Sequence, residues 1–418
     1  MSGEAAAYDV VIAGAGLVGA SLALALSGLG LRIGVLEIRP PAPEARPPGH
    51  DARAIALSAG SRIILEALGV WEAIAPRAAA ILRIHVSDRG RFGFAHLDHR
   101  REGLRALGHV VPARVLGDAL LQAVAGAGDI ELLAPARLEG VAEAGSGLRL
   151  RIADHPRMER LETRLLVGAD GTDSTVRRRL GIAVRARDYG QFAVIATVQP
   201  AYDHGGVAYE RFTETGPLAL LPLADGRCAL VWTHAAEAAQ TRLGQADAAF
   251  LEDLQQTFGW RLGRFRAVGA RRAYPLRRVE AVVPVRPRAA LIGNAAHTLH
   301  PVAGQGFNLG LRDVAALAEE IARAHRAGGD PGGPAVTEGY ARWRTGDQRR
   351  VLAFTELLLR TFASPVPPVR AARDAGMLGL DLCPPARHLF TRLTTGRLGR
   401  LPRLARGLSL RTLPEAAP

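Results

Sequence analysis

The segment from Tyr8 to Glu37, YDVVIAGAGLVGASLALALSGLGLRIGVLE, constrains this chain more than any other. An apolar run from Tyr8 to Ala13 reads as a strand. It enters a turn with Gly14, Gly16 and Gly19 in GxGxxG spacing, then a helix rich in Ala and Leu, then a second strand ending at Glu37. Each glycine has a physical reason. Gly14 permits the tight turn, Gly16 lets the backbone approach a pyrophosphate, and Gly19 lets helix and strand pack closely. The helix N-terminus presents free N–H groups and the positive end of its dipole to phosphate. Glu37 follows Gly19 by 18 residues, at a strand end where a carboxylate can accept from a ribose hydroxyl. Together these features predict a dinucleotide site; a glycine-rich packing turn is the bland alternative. Val10 to Leu31 is also uncharged over 22 residues, long enough for a membrane span. Five internal glycines, with Asp9 and Arg32 at the edges, favour the strand, turn and buried helix.

Composition removes other classes. At 418 residues the prior is two or three domains. A net charge of +13 first suggests nucleic acid, but all 53 basic residues are arginine and they are spread along the chain. Arginine has replaced lysine throughout, so no nucleic-acid partner is expected; attraction to an anionic membrane surface or an acidic partner stays open. Cys228 and Cys383 stand far apart, giving neither a disulfide framework nor a zinc pattern. The N-terminus MSGEAAAYD lacks a basic region and cleavage pattern, so the expected location is cytoplasmic, at most peripheral at the inner face of the membrane.

After the second strand, regular βα units do not follow. A proline-rich loop, PAPEARPPGH, leads to DARAIALSAGSRIILEALGVWEAI, read as a loop placing Arg53 and then an amphipathic helix with Leu65, Leu68 and Trp71. Farther on, LLVGADGTDSTVRRRLGI gives a strand at Leu165–Val167, a turn, and a cap at Asp173–Ser174 before a helix. Then LIGNAAHTLHPVAGQGFNLGLRD gives a strand, a Gly/Pro loop and a helix from Phe307. The last segment holds Asn294 and Asn308, the two asparagines of the whole chain. Their retention in an asparagine-poor chain points to a shared constraint; chance is the alternative. His297 and His300 lie in a loop with no cysteine or paired acid beside them, which argues against metal.

With these segments quoted, the chain resembles the FAD-dependent aromatic hydroxylases. Within them it is most similar to the ubiquinone-biosynthesis hydroxylases of the 2-polyprenyl-6-methoxyphenol type. The resemblance runs over about residues 8 to 407. It implies FAD contacts from Gly14, Gly16, Gly19, Glu37, Arg53, Arg114, Asp170, Asn294, Gly304, Gly306 and Asn308. The family has Gly-Asp at Gly293-Asn294, where the carboxylate holds the ribityl chain; an amide still donates and accepts but brings no charge. Near Asn308, helix N–H groups can face the flavin O2/N1 edge and favour negative charge there. Tyr189, Gln191 and Pro301 are the pocket candidates, with core packing the alternative for the first two.

The implied fold class is α/β: a Rossmann-like FAD-binding domain with an inserted antiparallel β-sheet substrate domain and a helical C-terminal region. The expected boundaries are 1–80, 101–180 and 281–345 for the FAD-binding domain, 81–100 and 181–280 for the substrate sheet, and 346–418 for the C-terminal region. Strand-like runs YGQFAVIATVQ, GVAYERFT, GPLALLPLA and GRCALVWT supply the sheet. Val351, Phe354, Leu357 and Leu358 predict a core-facing helical stripe. The tail TGRLGRLPRLARG carries Gly396, Gly399 and Pro402, which oppose one regular helix; it reads as part of the fold, with membrane or partner contact open. No second dinucleotide motif is present, so NADH or NADPH would visit FAD transiently. The resemblance implies a flavin C4a-hydroperoxide that passes oxygen to a prenylated phenol, with O2 as co-substrate and other ubiquinone-biosynthesis proteins as partners. Hydroxylation elsewhere on the ring, a small aromatic acid as substrate, or a non-catalytic scaffold role are the alternatives.

Overall fold

A computed structural model describes residues 6–40 and 53–413. The proline-rich loop and Asp51 lie outside the described residues. The strand Ala6–Ala13 is central to an eight-stranded sheet. It pairs in parallel with Arg160–Gly168 on one side and Ile33–Leu36 on the other. Ile130–Leu133 and Ala289–Leu291 extend the parallel order outward. Val10, Val11 and Ile12 are fully buried, as a strand covered on both faces requires. One face packs against the helix Leu17–Leu26, which is apolar on nearly every side because the helix Gln305–Arg326 covers it in turn. That second helix buries Leu311, Val314, Leu317 and Ile321 completely and places Arg323, His325 and Arg326 in its last turn, where cations suit the dipole.

A nine-stranded sheet forms the other half. Its spine is Val184–Pro200, paired with Arg272–Ala281 and Cys228–Ala235. Gly216–Pro222 and Val207–Thr213 follow, then Arg83–Asp88 and Phe94–Asp98. The sheet is mixed, not purely antiparallel: Val207–Thr213 runs parallel to Arg83–Asp88. A hairpin from an earlier part of the chain closes that edge, and its direction is set by the chain's entry, which local strand patterns do not reveal. Strand alternation divides the faces. Val194, Ala196 and Val198 join Phe250, Leu254 and Phe258 of the helix Asp247–Phe258 in an outer core. Ala193 and Ile195 point the other way, toward the interior between the two halves.

Local readings need three corrections. Arg53 precedes a strand, Ala54–Ser58, before the helix Ala59–Ala67 begins. Pairing with Gly108–Pro112, distant in sequence, decides this. Gly69 (φ +73) then stops the helix, so Trp71–Ile74 is a separate turn of helix. In the helix Pro334–Ala363, Val351 is buried, but Leu357 is 63% exposed. The tail has only short 3-10 turns, Leu404–Arg406 and Leu410–Thr412. Leu404, Ala405, Leu410 and Leu413 bury into the first core, and Arg400 stacks over Trp343 at 3.8 Å. Among the described residues, no helix is long and apolar enough to cross a membrane.

Candidate active site

Between the two halves lies a cavity of about 780 Å³. Its floor is mostly backbone: Gly16, Ala169, Gly171, Asn294, Gly304 and Gly306. Its roof is the inner face of the nine-stranded sheet, where Ile84, Val86, Leu97, Ala219, Leu221 and Val231 contribute apolar surface. Phe354, Leu358 and Phe390 close one side.

The floor glycines separate by cause. A Cβ on Gly19 would sit 1.9 Å from the Gly14 carbonyl oxygen, and one on Gly14 would sit 2.7 Å from that of Ala169. Protein packing forbids both. A Cβ on Gly16 or Gly306 would meet nothing within 4 Å. The space these two keep open belongs to the cavity. The helices Leu17–Leu26 and Gln305–Arg326 both begin here, capped by no side chain, with Gly16 and left-handed Gly304 (φ +60) at the caps. Helices that start elsewhere with Ser58 or Ser174 have their first N–H groups satisfied by the serine. The cavity therefore receives two uncapped helix N-termini, each suited to negative charge or a carbonyl oxygen.

Three carboxylates brace this floor. Glu37 accepts from the Ala15 N–H at 2.9 Å and from the Arg39 N–H at 3.1 Å, which holds it against the glycine turn. Asp170 accepts from Thr175 N–H and Val176 N–H through Oδ2 (2.6 and 3.0 Å), while its buried Oδ1 has no partner among the described residues. Asp313 is fully buried. Its Oδ2 lies 2.5 Å from His297 Nε2 and accepts from the Gly293 N–H; its Oδ1 accepts from Arg344 and Gln348. Burial would raise the Asp313 carboxyl, but His297 and Arg344 outweigh it and hold the group below the usual carboxylate range. This network pins the Gly293–Asn294 turn to the helix Pro334–Ala363.

Residues 7–348 match the model of an FAD-binding domain family. The chain belongs to this FAD-binding family. Within it, the chain is 38% identical to the ubiquinone hydroxylase UbiL of Rhodospirillum rubrum over 96% of its own length and 93% of the relative's. It is 33% identical to the 3-demethoxyubiquinol 3-hydroxylase of Escherichia coli, covering 89% and 94%. The p-nitrophenol 4-monooxygenase PnpA of Pseudomonas putida has the same fold, with a TM-score of 0.76 at 19% identity over 95% of this chain and all of that one. The fold class inferred from the sequence is thus that of the FAD-dependent monooxygenases.

The floor fits FAD. Gly16 and Gly306 leave cradles that no protein atom fills, and two helix N-termini face the same space. The unpartnered Asp170 Oδ1 is a buried acceptor of the kind a bound hydroxyl or amide satisfies. Asn294 borders the cavity, and its side chain makes no hydrogen bond to a described residue. Arg53 borders it too, with its guanidinium 5.8 Å from the Tyr274 ring. Pro301 is on the wall.

Other expectations fall differently. Asn308 is buried and spent on protein: Oδ1 accepts from Ser58 N–H (2.8 Å), and Nδ2 donates to the Ala56 (2.8 Å) and Gly304 (2.7 Å) carbonyls. It borders the cavity but clamps the helix start to the strand Ala54–Ser58, so the two asparagines do not share a role. Tyr189 and Gln191 are not on the wall. Tyr189 donates to Glu356 at 3.1 Å and meets the wall residue His300 edge-on at 5.4 Å; burial and Glu356 push its hydroxyl up to about 12. Gln191 donates to the Thr215 carbonyl. Arg114 is exposed, 3.4 Å from Asp118, while its neighbour Ala113 borders the cavity. The sequence reading missed Asp313, Tyr274 and Glu210. For Glu210 a signal existed: in AYERFT, period-two alternation puts it with Ala208 and Phe212, a carboxylate on an apolar face.

Proposed function

We propose that this chain is a monooxygenase that uses NAD(P)H and O2 to hydroxylate a polyprenylated phenol in ubiquinone biosynthesis. The observation that carries the reading is the cavity's asymmetry: a glycine-and-amide floor suited to FAD beneath a roof of aliphatic side chains. Arg53 is the one arginine on that wall among the described residues, and it lies beside Tyr274 of the roof strand Arg272–Ala281. A small aromatic acid would call for cationic groups in the roof; a prenylated ring calls for aliphatic ones.

FAD, when bound, supplies the redox chemistry that takes electrons from the nicotinamide and activates dioxygen. The chain's own work is to hold, orient and dry. Gly16 and Gly306 let backbone N–H groups reach the cofactor, and the two helix starts stabilise negative charge there. The roof excludes water and presents the ring to the floor. His300, which burial lowers to about 4, stays neutral on the wall at neutral pH. The polyprenyl tail would leave past Phe354, Leu358 and Phe390. Beyond them, Leu357, Leu382 and Leu389 are well exposed, and we read this face as a peripheral contact with an anionic membrane, where such a substrate partitions.

The test is direct. The purified protein should carry a flavin spectrum, and a prenylated methoxyphenol should stimulate NAD(P)H-dependent O2 uptake and gain one oxygen by mass. A flavin-loaded protein that no phenol stimulates would overturn the reading. For the membrane face, Leu382→Asp with Leu389→Asp should reduce sedimentation with anionic vesicles; unchanged sedimentation rejects that contact.

A further inference from the structure

The roof contains one carboxylate in an aliphatic surround. Glu210 lies on the strand Val207–Thr213, flanked on its face by Ala208 and Phe212 and opposite Ala219 and Val86 on the neighbouring strands. All five border the cavity. Glu210 makes no hydrogen bond or ion pair with another described residue. This is unusual economy for a partly buried acid that faces an apolar cavity, since an uncompensated carboxylate is costly and most are paired. The other carboxylates of the cavity region, Glu37, Asp170 and Asp313, each accept at least two hydrogen bonds.

Charged groups on adjoining elements do not relieve it. His85 and Arg211 alternate to the other face of the sheet, and Asp88 is ion-paired with Arg373. The Tyr209 ring packs edge-on against Phe258 at 5.2 Å, and the residue also borders the cavity. Gly216–Pro222 has no titratable side chain. Arg53 and His300 also border the cavity, and Tyr274 lies four strands away in the same sheet. Burial alone pushes the Glu210 carboxyl up to about 7, so near neutrality it exchanges its proton.

From this placement we propose that Glu210 binds the phenolic hydroxyl of the substrate and acts as the general base that removes its proton. The inference rests on the phenol-hydroxylase reading above. A ring carbon ortho or para to the hydroxyl bonds the outer oxygen of an O2-derived hydroperoxide, whose O–O bond breaks and leaves its electron pair on the inner oxygen, and the phenolic O–H bond breaks with it. Its electron pair becomes the π bond of a dienone carbonyl, and the proton passes to a Glu210 oxygen. Loss of the ring hydrogen at the attacked carbon and return of a proton to the carbonyl oxygen restore the aromatic ring. An acceptor that titrates near the working pH is matched to this task. It also fixes which edge of the ring the floor sees, because the hydroxyl must face the strand Val207–Thr213.

The test separates contact from turnover. Binding of a prenylated methoxyphenol and of its O-methyl ether is followed by quenching of bound flavin, from pH 5 to 9, in wild type, Glu210→Gln and Glu210→Ala. In the wild type the phenol should gain roughly tenfold over the ether as pH rises through about 7. Glu210→Ala should abolish the preference, and Glu210→Gln should keep a weaker, pH-independent one. Hydroxylation should fall about 10²-fold or more in Glu210→Gln and lose its rise near neutral pH. A phenol-to-ether ratio that is the same in all three proteins overturns the role of Glu210, whatever the turnover. A wild type that shows the ratio but hydroxylates no phenol overturns the reaction reading and retains the contact. Wild-type rates and pH profile in Glu210→Gln overturn the base assignment.

Discussion

The floor and the roof of the cavity are built by opposite means. The floor uses backbone: glycines where a Cβ cannot fit or where the space beside them is open, and helix starts that no side chain caps. The roof uses side chains, one from every second position of several strands brought together from residues 84 to 276. Backbone recognition demands particular residue types at fixed spacing, so it writes a motif. Side-chain recognition across a sheet demands only that alternate residues be apolar, so almost any strand satisfies it. Cofactor binding is therefore constrained in a way substrate choice is not.

The sharpest break in that comparison lies within the floor. Gly19→Ala should destabilise the protein by roughly 4 kcal/mol or more, because its Cβ collides with rigid backbone at 1.9 Å. Gly16→Ala, with open space around it, should leave the apoprotein's thermal stability nearly unchanged while FAD affinity falls about tenfold. Calorimetry and flavin titration on both variants decide this. Equal loss of stability would mean that Gly16 is also a packing glycine.

A second contrast sets the two asparagines against each other. Asn308→Ala strands the Ser58 N–H and two carbonyls in a buried place and should cost on the order of 3 kcal/mol. Asn294→Ala removes no protein hydrogen bond of the side chain, should cost about 0.5 kcal/mol or less, and should act instead on FAD affinity. Denaturant melts of the apoproteins measure the difference; equal values would return Asn294 to a structural role.

The smallest effect concerns the roof. A carboxyl raised on folding favours the folded state while protonated, and that advantage is lost as pH rises through its folded value. For Glu210 the loss falls between the ordinary value near 4.5 and about 7. Glu210→Gln should thus be more stable than wild type at pH 8, by on the order of 2 kcal/mol, and about equal at pH 4. A difference independent of pH would show that Glu210 finds a partner when ionised.

The sequence alone determined the parallel βαβ start, the glycine turn, the acid at Glu37, the Asp170 turn and the cavity-side placement of Asn294, Gly304 and Gly306. These depend on short-range geometry, in which residue type and spacing are nearly the whole constraint. Tertiary structure decided the rest. Asn308 belongs to the frame because a strand 250 residues earlier offers it backbone partners. Asp313 holds the Gly293–Asn294 turn directly and is itself held by Arg344 and Gln348 of a helix that begins at Pro334. Tyr189 left the wall because Glu356 lies within reach of its hydroxyl. Glu210 became a lone acid only when Val86 and Ala219 closed around it. A side chain's partners across long loops are fixed by packing, and a hydrogen bond or a carboxyl's affinity for its proton depends on those partners, not on the residues beside it in the chain.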